Sequence, residues 1–279
     1  MLKEERFRDY LAFKVVNLFQ ATFKARLMDK LPFYIDAKFC DGIKCYVSSS
    51  KELKRSKQEF DPQVYEWLKS FSSGDCFYDI GANIGMFSLS VASIYNKNVQ
   101  VYAFEPSFST FASLMQNVAV NQLDEIIHSF SVALGSMNGM RNFNYKNLVA
   151  GESVHTLDAV VNQMGSRFVP AFCQQVASYT LDGFIEDFEL PLPTHIKIDV
   201  DGGEWEVLQG MRNLLGGDSI KSVMVEITEQ GADNVAIKEI YDLFFESGFK
   251  DALKILHRNN KNTPIISDVL FTKNWAMKK

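Results

Sequence analysis

The sequence predicts an α/β protein: a doubly wound, mostly parallel sheet with an antiparallel final hairpin, preceded by an N-terminal extension. Three observations predict it. From residue 76 onward, short apolar runs alternate with amphipathic helical stretches, the pattern of parallel strands joined by crossover helices. The first of these runs, CFYDIGANIG over 76–85, stops at two glycines with an asparagine between them. The last two runs, KDALKILH and ISDVLFT, have no helix between them, so they should pair as antiparallel neighbours.

In chain order, residues 3–28 place Phe7, Leu11, Val15, Leu18 and Phe19 at helical spacing with charges between them. This amphipathic helix is expected to pack on its own domain or to form a homodimer with a second copy. Residues 33–49 read as a hairpin turning at Asp41-Gly42. Asp61-Pro62 opens a helix that ends near Ser72, because proline fits the first helical turn. These elements form an extension over 1–72. The domain over 73–279 then begins with strand CFYDIG, a helix near 84–95, strand VQVYAFE at 99–105, a helix over 107–121 and a third strand over 126–134. The stretch 135–178 breaks the rhythm with glycines, polar residues and one short helical pattern near 154–164. It is expected to cover the substrate, with Phe143, Tyr145, Phe168, Phe172 and Tyr179 available for packing or for stacking on a ring. Strands THIKIDV and SVMVEI follow, with helices over 203–215 and 234–247.

Composition narrows the partners. With 279 residues, 47% of them hydrophobic, the chain can bury a large core. Its net charge of −5 argues against nucleic acid. Residues 1–75 carry 14 basic and 11 acidic side chains, interleaved as on a solvated surface. No run approaches the roughly 20 apolar residues of a membrane span, and the opening MLKEERFRDYLAFKVVNLFQ is not a signal peptide. Cys40, Cys45, Cys76 and Cys173 form no metal-binding spacing and read as free thiols of a reducing, cytoplasmic compartment.

In doubly wound sheets, ligands bind beyond the carboxyl ends of the strands. Gly81 and Gly85 would let the loop there turn tightly and approach a ligand without a Cβ in the way. Glu105 ends the next strand, 24 residues after Gly81, where a carboxylate can accept both hydroxyls of a ribose. The pairing indicates an adenosine-bearing cofactor. The loop reads G-A-N-I-G and lacks G-x-G-x-x-G, so a dinucleotide with its pyrophosphate is disfavoured. Asp79, just before the loop, suits a cationic group such as an amino acid's ammonium.

These residues carry a resemblance. The strings YDIGANIGMFSLSVA, VYAFEPS and SYTLDGFIEDFELPLPTHIKIDVDGGEWEVLQGM resemble the FkbM family of S-adenosylmethionine-dependent methyltransferases. IKIDV-x-G-x-E after TLD is the most specific part, and the resemblance spans roughly 75–228. It implies the seven-stranded Rossmann-like sheet of class I methyltransferases and O-methylation of a hydroxyl on a sugar or another metabolite. Carried over by position, it puts Asp79, Gly81, Asn83 and Gly85 beside the methionine part of the cofactor, Glu105 on the ribose, and Val132 and Ala133 near the adenine. Asp201 and Gly203 depart from it, since the family more often has Glu and Ala there.

O-methylation needs a base for the hydroxyl proton. Asp199 at the end of HIKIDV, Glu226 at the end of the next strand and His155 in the irregular segment are the candidates. Lys197 shares a strand face with Asp199, which is its expected partner, either in a purely structural ion pair or beside the reacting groups. His128, His195 and His257 are read as structural. Asp199, Asp201 and Glu204 are close in sequence, but the latter two suit a helix N-terminus, and no metal site is assigned. The overall expectation is an S-adenosylmethionine-dependent O-methyltransferase acting on a small-molecule or glycan substrate, probed against two rivals: a dehydrogenase, and a methyltransferase-like module that binds without catalysis.

Overall fold

The structure, a computed structural model, describes residues 33–160, 167–228, 234–256 and 266–273. The amphipathic helix expected over 3–28 and His257 lie outside these residues. The chain divides between Tyr34 and Ile35, and the architecture described here belongs to the second unit.

The described residues open with a two-stranded hairpin, β1 (Tyr34–Asp36) and β2 (Lys44–Tyr46), turning at Gly42, followed by helix α1 (Ser50–Ser56). Helix α2 (Pro62–Lys69) starts where proline and a capping aspartate predict, with Asp61 Oδ1 accepting from the Gln63 amide at 2.8 Å. Its Val64, Trp67 and Leu68 recur at helical spacing and are all buried.

The central sheet has seven strands in the order β12-β13-β11-β10-β3-β4-β5. These are β3 (Cys76–Ile80), β4 (Gln100–Phe104), β5 (Ile127–Phe130), β10 (His195–Ile198), β11 (Ser222–Thr228), β12 (Asp251–Leu256) and β13 (Ile266–Thr272). The first five are parallel, and β13 runs antiparallel between β11 and β12, as the closing runs predicted. After β5 the chain returns to the other side of β3, so the strand order reverses between β3 and β10. Helices α3 (Met86–Ile94), α4 (Phe108–Val120), α5 (Leu181–Asp187), α6 (Glu204–Gln209), α7 (Arg212–Gly216) and α8 (Asn234–Glu246) make the connections. Successive strand residues face opposite sides. Tyr78 and Ile198 therefore join one buried cluster with Phe184, Leu208 and Phe244, while Phe77 and Val101 join another with Leu89 and Trp67. This second cluster also holds Phe39, Cys45 and Leu68, so the core is continuous across residue 72.

Three expectations change. The strand expected over 126–134 ends at Phe130, and Ala133–Leu134 forms β6 in a separate sheet of order β6-β9-β7-β8. The rest of that sheet is β7 (Gly139–Tyr145), β8 (Thr156–Leu157) and β9 (Phe172–Tyr179). Where a helical pattern was expected from 154, the backbone instead pairs Thr156 and Leu157 with Asn144 and Phe143. The helix expected over 203–215 is broken between α6 and α7. A Cβ on Gly210 would lie 2.0 Å from the Gly135 carbonyl oxygen, so the break is where the helix passes the loop after β6.

Candidate active site

The site grows from the reversal of strand order. Gly81 has φ +80°, and a Cβ there would lie 1.8 Å from the Asp199 carbonyl oxygen. The glycine thus lets the ends of β3 and β10 touch. Gly85, at φ +93°, caps α3, and a Cβ on it would meet Leu114 Cδ1 of α4 at 2.6 Å. Asn83 is left-handed at φ 51°, and its amide donates to Glu105 Oε2 at 2.9 Å, while the Ser107 amide donates to Glu105 Oε1 at 2.9 Å. Each carboxylate oxygen keeps a lone pair for a ligand. Asn117 of α4 ties the neighbourhood together: it accepts from the Tyr46 amide at 2.7 Å and donates to the Ile84 carbonyl at 2.8 Å.

A cavity of about 340 Å³ crosses the carboxyl ends of the strands. In strand order its floor is Glu226, Asp199, Gly81 with Asn83, Glu105, and then Val132 and Ala133 after β5. The facing wall is the inner face of the small sheet, with Arg141, Phe143, His155 and Leu157. Of the residues singled out in the sequence, Gly81, Asn83, Glu105, Val132, Ala133, His155, Asp199 and Glu226 line this cavity. Asp79, Gly85 and Lys197 do not. Asp79 is buried and accepts from the Ser88 amide at 3.0 Å and its hydroxyl at 2.5 Å, binding β3 to α3. Of the five aromatic residues in the irregular segment, only Phe143 reaches the cavity; Tyr145 is fully buried behind it, and Tyr179 packs on Phe184 and Phe188.

Lys197 is 1% exposed and pairs with its expected partner Asp199, but a second acid, missed in the sequence, lies closer. Its Nζ lies 2.6 Å from Asp268 Oδ1 on β13, and Asp199 Oδ2 is farther, at 3.8 Å. Burial opposes its charge, but Asp268, Asp199 and Glu226 outweigh that and raise its pKa, so it stays protonated. The acidic groups respond oppositely. Burial pushes Glu105 up to about 7. Burial and the Asp199 charge push Asp201 up to about 8 and hold Glu226 well above the ordinary carboxylate range. Glu204 caps the turn before α6, accepting from the amides of Val200 and Gly202 at 3.1 Å each. Among the described residues, no three metal-binding side chains are placed to share an ion.

His155 is buried, and burial lowers its pKa to about 4. Its Nδ1 accepts from the Lys146 amide at 3.2 Å, which leaves the proton of the neutral ring on Nε2. The segment before it is fastened across the site. Asn83 Nδ2 donates to the Glu152 carbonyl at 3.2 Å, and the Val154 amide donates to Asp201 Oδ2 at 2.7 Å.

Several lining residues were not legible in the sequence. Arg55 lies in the charge run KELKRSK, where nothing marks it; α1 brings it to the site, its Nε donating to the Gly151 carbonyl at 2.6 Å. Lys51 of the same helix pairs with Glu152 at 3.0 Å. Arg141 is held by Asp158 through its Nε.

The chain is similar to named methyltransferases. It is 29% identical over 192 residues to "Hexuronic acid methyltransferase AglP" of Haloferax volcanii, covering 69% of this chain and 70% of that protein. It is 24% identical over 215 residues to "Methyltransferase 1" of Beauveria bassiana, covering 72% of this chain and 85% of the other. A solved structure, methyltransferase FkbM from Methylobacillus flagellatus, aligns with a TM-score of 0.48 at 15% identity, covering 72% of this chain and 44% of that one. The family model "Methyltransferase FkbM domain" matches residues 79–256, and the chain belongs to that family of methyltransferases.

Proposed function

We propose that the chain uses S-adenosylmethionine to methylate a hydroxyl of a sugar, in a glycan or a lipid-linked precursor. The observation that carries this reading is the order of groups along the strand ends. Glu105 offers two lone pairs at one side of Gly81, and the carboxylates of Asp199 and Glu226 stand at the other, in one cavity. An acidic wall suits a cation, and buried N–H groups along the opposite wall suit a polar ligand, so the residues present fit this cofactor. When bound, it supplies a methyl group on a positively charged sulfur, which an oxygen can displace in line.

The chain's own residues then hold the parts in place and take the proton. Glu105, Asn83 and the Gly81 turn hold the nucleoside and methionine side. Asp199 takes the acceptor's proton, because it stands just past the end of β10, facing the cavity, with Lys197 Nζ 3.8 Å away. Glu226, beside it, is held well above the ordinary carboxylate range by burial and the Asp199 charge, which favours the protonated form that can donate a hydrogen bond to an acceptor oxygen. His155 does not serve as the base, since its free lone pair is already used by the Lys146 amide. The similarity to a protein named for hexuronic acid supports a sugar acceptor.

The test is release of S-adenosylhomocysteine from S-adenosylmethionine in the presence of a panel of neutral and uronic glycosides and nucleotide sugars. Turnover with at least one sugar is expected, and Asp199→Asn should lower it by about 100-fold or more while leaving cofactor affinity within a few-fold. Wild-type turnover by that variant would remove Asp199 from the chemistry.

A further inference from the structure

Two buried donors in the cavity wall have no partner among the described residues: Arg141 Nη1 and His155 Nε2. Both belong to the inner face of the small sheet. Phe143 pairs with Leu157 across β7 and β8, and Arg141 and His155 lie two residues to either side of that pair on the same face. The donors are thus set about four strand positions apart, on the order of 13 Å along the strands. One stands beside Gly135 and Leu157, past the end of β5, and the other on the segment fastened to Asn83 and Asp201.

Their chemistry is fixed by their other contacts. Arg141 spends Nε on Asp158, whose other oxygen accepts from the Asn142 amide at 2.9 Å, so the guanidinium is anchored with Nη1 left over. His155 spends Nδ1 on the Lys146 amide, so Nε2 carries the hydrogen. A buried donor without an acceptor costs free energy comparable to a lost hydrogen bond. Two such donors on one wall of one cavity mark a surface completed by a ligand. At about 340 Å³ the cavity suits a ligand of nucleoside–amino acid size, and Arg141 and His155 both line it.

We propose that the inserted small sheet belongs to the cofactor site: Arg141 Nη1–H and His155 Nε2–H donate to lone pairs of the S-adenosyl ligand. The sequence placed this segment over the acceptor; on the present assignment its inner face reads the cofactor, and the acceptor approaches from the Asp199 and Glu226 end. This rests on the cofactor reading above. It also separates His155 from a base, because a donor role survives replacement by a side chain that keeps an N–H.

The test is calorimetric titration of the full chain with S-adenosylhomocysteine, comparing wild type with Arg141→Gln, His155→Phe and His155→Gln. Arg141→Gln and His155→Phe should each bind about tenfold more weakly, and His155→Gln within threefold of wild type. Wild-type affinity in both Arg141→Gln and His155→Phe would overturn the proposal, as would equal losses in His155→Gln and His155→Phe. If a variant fails to fold, nitrogen-15 NMR of the wild-type histidine ring answers instead. His155 should show the Nε2–H tautomer, and its Nε2–H proton resonance should move on saturation with S-adenosylhomocysteine; an unmoved resonance would overturn the assignment. Wild type that takes up no S-adenosylhomocysteine would overturn the cofactor reading itself and this one with it.

Discussion

A methyl group on Gly81 would lie 1.8 Å from the Asp199 carbonyl oxygen, against backbone that cannot step aside, and the residue's φ of +80° already disfavours any side chain. Gly81→Ala is therefore expected to destabilise the fold by about 3 kcal/mol or more, read from denaturant midpoints; a loss under about 1 kcal/mol would show that β3 and β10 do not need this contact. Glu105→Ala tests the other side of the loop. It should weaken binding of S-adenosylhomocysteine by roughly 1–3 kcal/mol, as expected for charge-assisted hydrogen bonds, and unchanged affinity would remove Glu105 from the ribose. Both residues stood out in the sequence because loop glycines and a strand-end acid leave a local signature. The reason for Gly81 did not, since the carbonyl it avoids is far along the chain. Arg55, Arg141 and the free Nε2 of His155 left no signature either: their roles come from tertiary contacts with Gly151, Asp158 and Lys146.

Most strands and crossover helices of the central sheet were legible because each carries an apolar run or period over four or more residues. The small sheet was not. Its strands β6 and β8 have two residues each, too few to show a period, and β7 pairs mainly with β9, from Gly139 opposite Ser178 to Tyr145 opposite Phe172, across a long intervening segment. Strand β10 shows the same limit in another form. The face shared by Lys197 and Asp199 was readable, but Asp268, which holds Lys197 at 2.6 Å, belongs to a strand two places away in the sheet. Asp268→Asn would remove the closer negative charge and leave Asp199, at 3.8 Å, as the nearest anion to the buried lysine, and a loss of about 3 kcal/mol in stability is expected. A urea midpoint equal to wild type would show that Asp199 alone suffices.

Over the whole molecule, burial leaves an unusual number of carboxylates reluctant to ionise. Burial holds Asp79 at about 6, Glu105 at about 7, Glu204 at about 7 and Asp201 at about 8. All lie above the unfolded values of roughly 4. Through these four groups the folded chain binds more protons than the unfolded one, which lowers stability as pH rises; His155, which burial lowers to about 4, opposes them below its ordinary value, so the fall is clearest between about pH 6 and pH 8. Glu152 has the opposite sign: burial is outweighed by Asn147, Lys51 and the Ser153 amide, which bring it down to about 2, so its contribution is lost as pH falls toward that value. The melting temperature of the ligand-free chain should fall by a few degrees between pH 6 and pH 8; a flat or rising profile over that range would contradict the placement of these groups.

Ligand binding at this cavity is the most direct test of the account. Calorimetric titration of the full chain with S-adenosylhomocysteine, with NAD as the comparison ligand, reports on the cavity without any knowledge of the acceptor. Binding of S-adenosylhomocysteine in the micromolar range and none of NAD is the predicted result. Binding of NAD, or of neither ligand, would contradict the assignment of this cavity to a methyl-donor cofactor.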